Sequence, residues 1–228
     1  MTATAPRARP LRRALRTLSS VLIVAGAVLL LDAGLTLVWQ EPVSAVYAHL
    51  QQSRLDDELE RLGRVPLAPA EQRALEKIPD PRRRLAFRAR ALERRVEPGD
   101  PVGRIVMSSI GVSEVFVEGI GGGDLRSGPG HYPQTPLPGE RGTVAIAGHR
   151  TTYGAPFRRI DQLDGGDRLE LRMPYGRFTY RVERTRIVEP TELSVIDRVA
   201  YDRLVLSACH PLYSAARRII VFARLERP

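Results

Sequence analysis

Leu204-Val205-Leu206-Ser207-Ala208-Cys209-His210-Pro211, with Arg218-Ile219-Ile220-Val221-Phe222-Ala223 beginning nine residues after the cysteine, is the stretch on which the reading of this chain turns. Two apolar, β-branched runs flank a Pro-containing break, which predicts two strands joined by a turn. Cys209 ends the first strand and Arg218 opens the second, so a thiol and a guanidinium can converge on one site. Cys209 is the sole cysteine and makes no internal disulfide. Taken alone, such a residue is a small buried hydrophobe.

The N-terminus changes that balance by setting the compartment. Residues 1–17 hold Arg7, Arg9, Arg12, Arg13 and Arg16 and no acid, and residues 19–39 are apolar apart from a few Ser and Thr and one charge, Asp32. About 20 such residues span a ~30 Å hydrocarbon core, more than the h-region of a cleaved signal needs. The expectation is a single-pass signal-anchor over 18–39, with the basic tail 1–17 cytoplasmic and the remainder extracellular. Asp32 would cost ~2.5–3.5 kcal/mol at mid-membrane, so it marks a partner helix or the effective end of the span. Outside the cytoplasm structural cysteines come in pairs, which moves the unpaired Cys209 towards reactivity.

The formal charge of +9 and the pI of 10.5 come almost entirely from arginine, because Lys77 is the only lysine. Beyond the tail the arginines are mixed with acids and are not interleaved with aromatics. Nucleic acid is therefore excluded as a partner, and a membrane or wall surface accounts for the charge. Residues 40–100 read as solvated helical pieces broken by Pro66, Pro69, Pro79 and Pro81, a stalk or linker.

From residue 101 to 228 the pattern becomes short strands between Gly and Pro breaks: 104–107, 112–117, 143–147, 168–173, 178–188, 204–207 and 219–225, with helical turns at 122–126 and 155–163. This is a mainly β domain, a barrel or sandwich. The Gly119-Ile120-Gly121-Gly122-Gly123 run lacks nucleotide-binding spacing and is a turn. His149 follows the run 143–147 and enters a polar loop, where functional groups concentrate. An imidazole can take a thiol's proton and return it to a leaving amine, and a fixed cation can face the oxyanion formed on an amide. Spacing alone leaves Arg217 and Arg218 both open for that cation. The four residues His131, His149, Cys209 and His210 match no metal-ligand spacing, so no metal and no cofactor are expected.

These motifs resemble the sortases, membrane-anchored cysteine transpeptidases of Gram-positive surfaces. Val205-Leu206-Ser207-Ala208-Cys209 matches their T-L-x-T-C strand end, with Pro211 two and Arg218 nine residues on. Gly148-His149-Arg150-Thr151-Thr152 and Gly128-Pro129-Gly130-His131-Tyr132-Pro133 are similar to the actinobacterial class E group. The resemblance runs from about Gly103 to Leu225. It implies a closed eight-stranded barrel with Cys209 as nucleophile, His149 as acid and base, and Arg218 as oxyanion and substrate contact. It implies substrate contacts at Tyr132, Ser207 and Ala208, with Tyr132 linked to a preference for L-A-x-T-G over L-P-x-T-G sorting signals. His131 and His210 are expected to be structural, with a place near the site, tuning it, as the alternative. A peptidoglycan-precursor amine is the implied acceptor.

Two departures stand out, Val205 and Ala208 in place of the motif's threonines; one lost hydrogen bond is worth ~0.5–1.5 kcal/mol, a several-fold effect. Papain-like and caspase-like proteases are excluded by the absence of their cysteine segments. A hydrolytic peptidase, a pilin-polymerising sortase and a non-catalytic wall-binding barrel are the alternatives.

Overall fold

A computed structural model of the chain describes residues 9–38 and 42–226. They form two compact units, which divide at Pro42. The first is one helix, α1 (Arg9–Val38). Its segment Ala14–Gly34, 21 residues long, is long and apolar enough to cross a membrane.

The second unit joins three helices to a β domain. The helices are α2 (Pro42–Arg64), α3 (Pro69–Glu76) and α4 (Pro81–Glu93). Proline opens each, where its missing N–H costs nothing and its fixed φ suits the first turn. At α4 Asp80 accepts a hydrogen bond from Arg83 N at 2.8 Å. Eight strands follow: β1 (Pro101–Met107), β2 (Val112–Glu118), β3 (Gly130–His131), β4 (Thr143–Ala147), β5 (Arg168–Met173), β6 (Gly176–Val188), β7 (Arg203–His210) and β8 (Arg217–Leu225), with a short helix α5 (Gly122–Ser127) between β2 and β3. They close into a barrel of order β1-β2-β3-β4-β7-β8-β6-β5. Closure removes the exposed edges that an open sheet of this size would present.

Alternation sorts the side chains between two faces. Val144, Ile146, Leu204, Leu206, Ala208, Ile219, Val221 and Ala223 point into the barrel and join Ile105, Phe116, Phe157 and Leu171 in the main core. Ala145, Val205, Ile220 and Phe222 point outward and are covered by Val188 and Val195, with Ile196 and Tyr132 partly buried against them. Arg203 holds the 193–197 segment down over this outer cluster, donating to Val195 O at 3.0 Å, Asp197 O at 2.9 Å and Thr143 Oγ1 at 3.2 Å.

The helices of residues 42–93 are not the free-standing solvated pieces that their charge density suggests. Leu55, Leu75, Ala89, Ala91 and Leu92 are buried, and Ala89 and Leu92 enter the main core. Leu55 of α2 packs on Val115 and Val117 of β2. Because β3 offers only two residues to β2, the backbone of Val115 would be left without a partner on that side. Gln52 supplies one: its amide accepts from Val115 N at 2.7 Å and donates to Val115 O and Ser127 O, both at 3.0 Å. The side chain thus satisfies the β2 edge as a neighbouring strand would.

Candidate active site

Strands β4 and β7 are parallel neighbours, with Ala147 opposite Ser207. Gly148 N donates to Ser207 O at 3.0 Å, continuing the register one residue past β4. His149 and Cys209 therefore both lie two residues beyond the same pair, at the same end of the sheet. Strand β8 runs antiparallel on the other side of β7 and sets Arg218 opposite Cys209, with Arg217 opposite His210. Directly opposed side chains on one face lie about 4.5–5.5 Å apart at Cβ. By alternation Val205, Ser207 and Cys209 face outward, as do Arg218, Ile220 and Phe222. Three residues spread over 70 positions of sequence thus meet at one barrel rim, and the cross-strand partner of Cys209 is Arg218 and not Arg217.

Cys209 is free and partly accessible. His149 is half-buried. Burial, and secondarily the charge of Arg126, push its pKa below the usual 6.5, since both disfavour the imidazolium. Its ring lies 5.3 Å from that of Tyr153, tilted by 44°, and Arg126 stands 5.7 Å over the Tyr153 ring. The loop turns sharply through Tyr153, Gly154 and Ala155, all at positive φ, a conformation non-glycine residues adopt rarely. Phe157 N closes it on His149 O at 2.9 Å. The Phe157 ring lies against Gly148, where a Cβ would approach to 2.6 Å. From α2, Ala48 meets the same loop at Gly154, where a Cβ would come within 2.9 Å of it. Arg218 donates to Ala215 O and Arg217 O, both at 3.0 Å.

The remaining sequence-predicted residues divide. Ser207 is buried beside Cys209 on the outer face. Tyr132 is partly buried against the outer apolar cluster, and its N–H donates to Ala145 O at 3.0 Å. Ala208 is 3 % exposed with its side chain inside the barrel core, so that side chain presents nothing at the surface. His131 is buried in a network of its own, with Nδ1 2.9 Å from Glu118 Oε2 and Nε2 3.2 Å from Thr135 Oγ1. His210 is half-buried at the rim. Sequence reasoning passed over Arg150. It is 4 % exposed, contacts the Cys209 carbonyl and ion-pairs with Asp161; its place next to His149 before a polar loop was the available signal. A cavity of about 840 Å³ lies elsewhere, lined by Arg82, Arg83, Leu85, Phe178, Arg198 and Leu225, and it holds neither Cys209 nor His149.

A family model described as a sortase domain matches residues 105–226. Sortase D of Bacillus subtilis is 34% identical over 132 residues, 56% of this chain and 65% of that one. Sortase SrtE1 of Streptomyces coelicolor is 29% identical over 150 residues, 58% of this chain and 43% of that one. The chain therefore spans less than two thirds of the length of either relative. A Sortase D5 transpeptidase structure from Clostridium perfringens aligns with a TM-score of 0.61 at 23% identity, covering 78% of this chain and 99% of that one. That likeness in fold takes in more of the chain than the barrel alone.

Proposed function

The chain belongs to the sortase family, whose domain spans residues 105–226, and on that premise we propose that it is a membrane-anchored cysteine transpeptidase acting on C-terminal sorting signals. The observation that carries the reading is the register: parallel β4 and β7 with antiparallel β8 bring His149, Cys209 and Arg218 to one rim. In this reading His149 takes the Cys209 proton and the thiolate attacks the Thr carbonyl of a Thr–Gly bond. The tetrahedral oxyanion faces the Arg218 guanidinium, which stays protonated throughout. When the C–N bond breaks, the imidazolium returns its proton to the glycine amine, leaving a thioester on Cys209. An amine of a peptidoglycan precursor then attacks the thioester, His149 accepts its proton, and breakage of the C–S bond frees the thiolate. The depressed pKa of His149 supports an imidazole neutral at the start of this cycle.

Tyr132 and Ile196, partly exposed at the edge of the outer apolar cluster, offer apolar surface for the leucine of an L-A-x-T-G signal. A class E preference is the finer proposal, supported by the Tyr132 segment. Identity to a class D relative favours the second reading, in which L-A-x-T-G holds no advantage. The span Ala14–Gly34 supports an anchor with the arginine-rich tail cytoplasmic and the barrel outside.

The test incubates the full chain in detergent with L-A-x-T-G or L-P-x-T-G peptides, with and without an amine, with Cys209→Ala as control. A thioacyl mass adduct on Cys209 that the amine converts to a ligated peptide supports the transpeptidase. Cleavage unaffected by amine would leave a hydrolase. Absence of any adduct would favour the non-catalytic wall-binding barrel.

A further inference from the structure

Arg150 is a buried arginine whose partners all belong to the site region. Its Nη1 lies 3.4 Å from the Cys209 carbonyl oxygen and 3.4 Å from Nδ1 of His210. Its Nε and Nη2 donate to Arg158 O at 3.4 and 3.2 Å, and Nη2 lies 2.8 Å from Asp161 Oδ2. One guanidinium therefore clamps the end of β7 to the loop that carries His149, through a planar fork that a lysine cannot reproduce. A guanidinium has no acceptor, so the His210 nitrogen facing it can only accept. With Nδ1 accepting from Arg150, the His210 N–H sits on Nε2.

We propose that Arg150 is a positioning residue that holds Cys209 against the His149 loop and fixes His210 with Nδ1 as acceptor and Nε2–H as donor. The imidazole next to the nucleophile in sequence is thereby barred from taking the thiol proton, which is left to His149. This inference rests on the reading of Cys209 and His149 as the reacting pair.

The test is nitrogen-15 NMR of histidine-labelled full chain in detergent at neutral pH, with steady-state peptide ligation measured on the same samples. In the wild type His210 is expected as one tautomer with an unprotonated Nδ1. Arg150→Lys is expected to release it to a mixture, and to lower kcat about tenfold or more with KM nearly unchanged, because a small misplacement of reacting groups acts on the chemical step. Asp161→Asn removes a half-exposed partner, keeps the fold, and is expected to give the same changes at smaller amplitude. An Nδ1-protonated His210 in the wild type would overturn the proposal. So would an unchanged tautomer in both variants, or a kcat loss matching the loss of folded protein. A locked tautomer in a wild type without turnover would sink the transpeptidase reading and keep the lock.

Discussion

Cys209 and Arg218 illustrate how much of the site is decided residue by residue. A thiol and a guanidinium nine positions apart are brought opposite by a hairpin whose register is fixed by the outward alternation of Val205, Ser207 and Cys209. Their residue types and order could be read from the sequence, as could the place of His149 after an apolar run. For Arg150 the only signal was its place beside His149, because in an arginine-rich chain the residue type does not separate a buried guanidinium from an exposed one. His149 carries a pH prediction. Its folded pKa is depressed, so the neutral form is favoured and proton uptake is deferred to lower pH. If His149 is the base, the acid limb of kcat/KM for sorting-peptide cleavage lies below 6.5. Arg126→Ala removes a like charge and should move that limb upward, leaving the basic limb in place. An acid limb unmoved by Arg126→Ala would exclude His149 as its source. Arg218→Lys keeps the charge but loses the fork, and a loss of about 10²–10³ in kcat is expected, read by the same assay.

At the scale of elements, the short strands were legible because β-branched runs alternate with Gly and Pro breaks; 143–147 and 168–173 coincide with β4 and β5. Two residues carry no period, and β3 escaped for that reason. The helices 42–93 misled in a different way: Ala89 and Leu92 form a narrow buried stripe in α4, too slight to register among so many charges. Leu92→Ala should therefore destabilise the unit by about 2–4 kcal/mol, seen as a lower midpoint in urea unfolding, with activity per folded molecule unchanged. Gln52 gives a second test on α2. Gln52→Ala strands Val115 N–H and two carbonyls, and about 1–3 kcal/mol of stability should be lost. Gln52→Glu keeps the acceptor for Val115 N but loses the donor to both carbonyls, so it should not rescue. Recovery of wild-type unfolding in Gln52→Glu would show that the edge is not held as described.

The molecule as a whole is a closed barrel whose order no local pattern discloses: the parallel union of β4 and β7 encloses β5 and β6 in the connection between them. That union has a consequence for when reactivity appears. While a chain is being made, His149 runs sixty residues ahead of Cys209, and the thiol that follows it has neither imidazole nor guanidinium beside it. Pairings this distant are slow to form, since loop entropy is spent before contacts reward it. β8 must also insert between β7 and β6 before Arg218 stands beside the thiol. If Cys209 is the nucleophile, closure of the wall and its arming are one event, and a half-made chain passes its neighbours chemically mute.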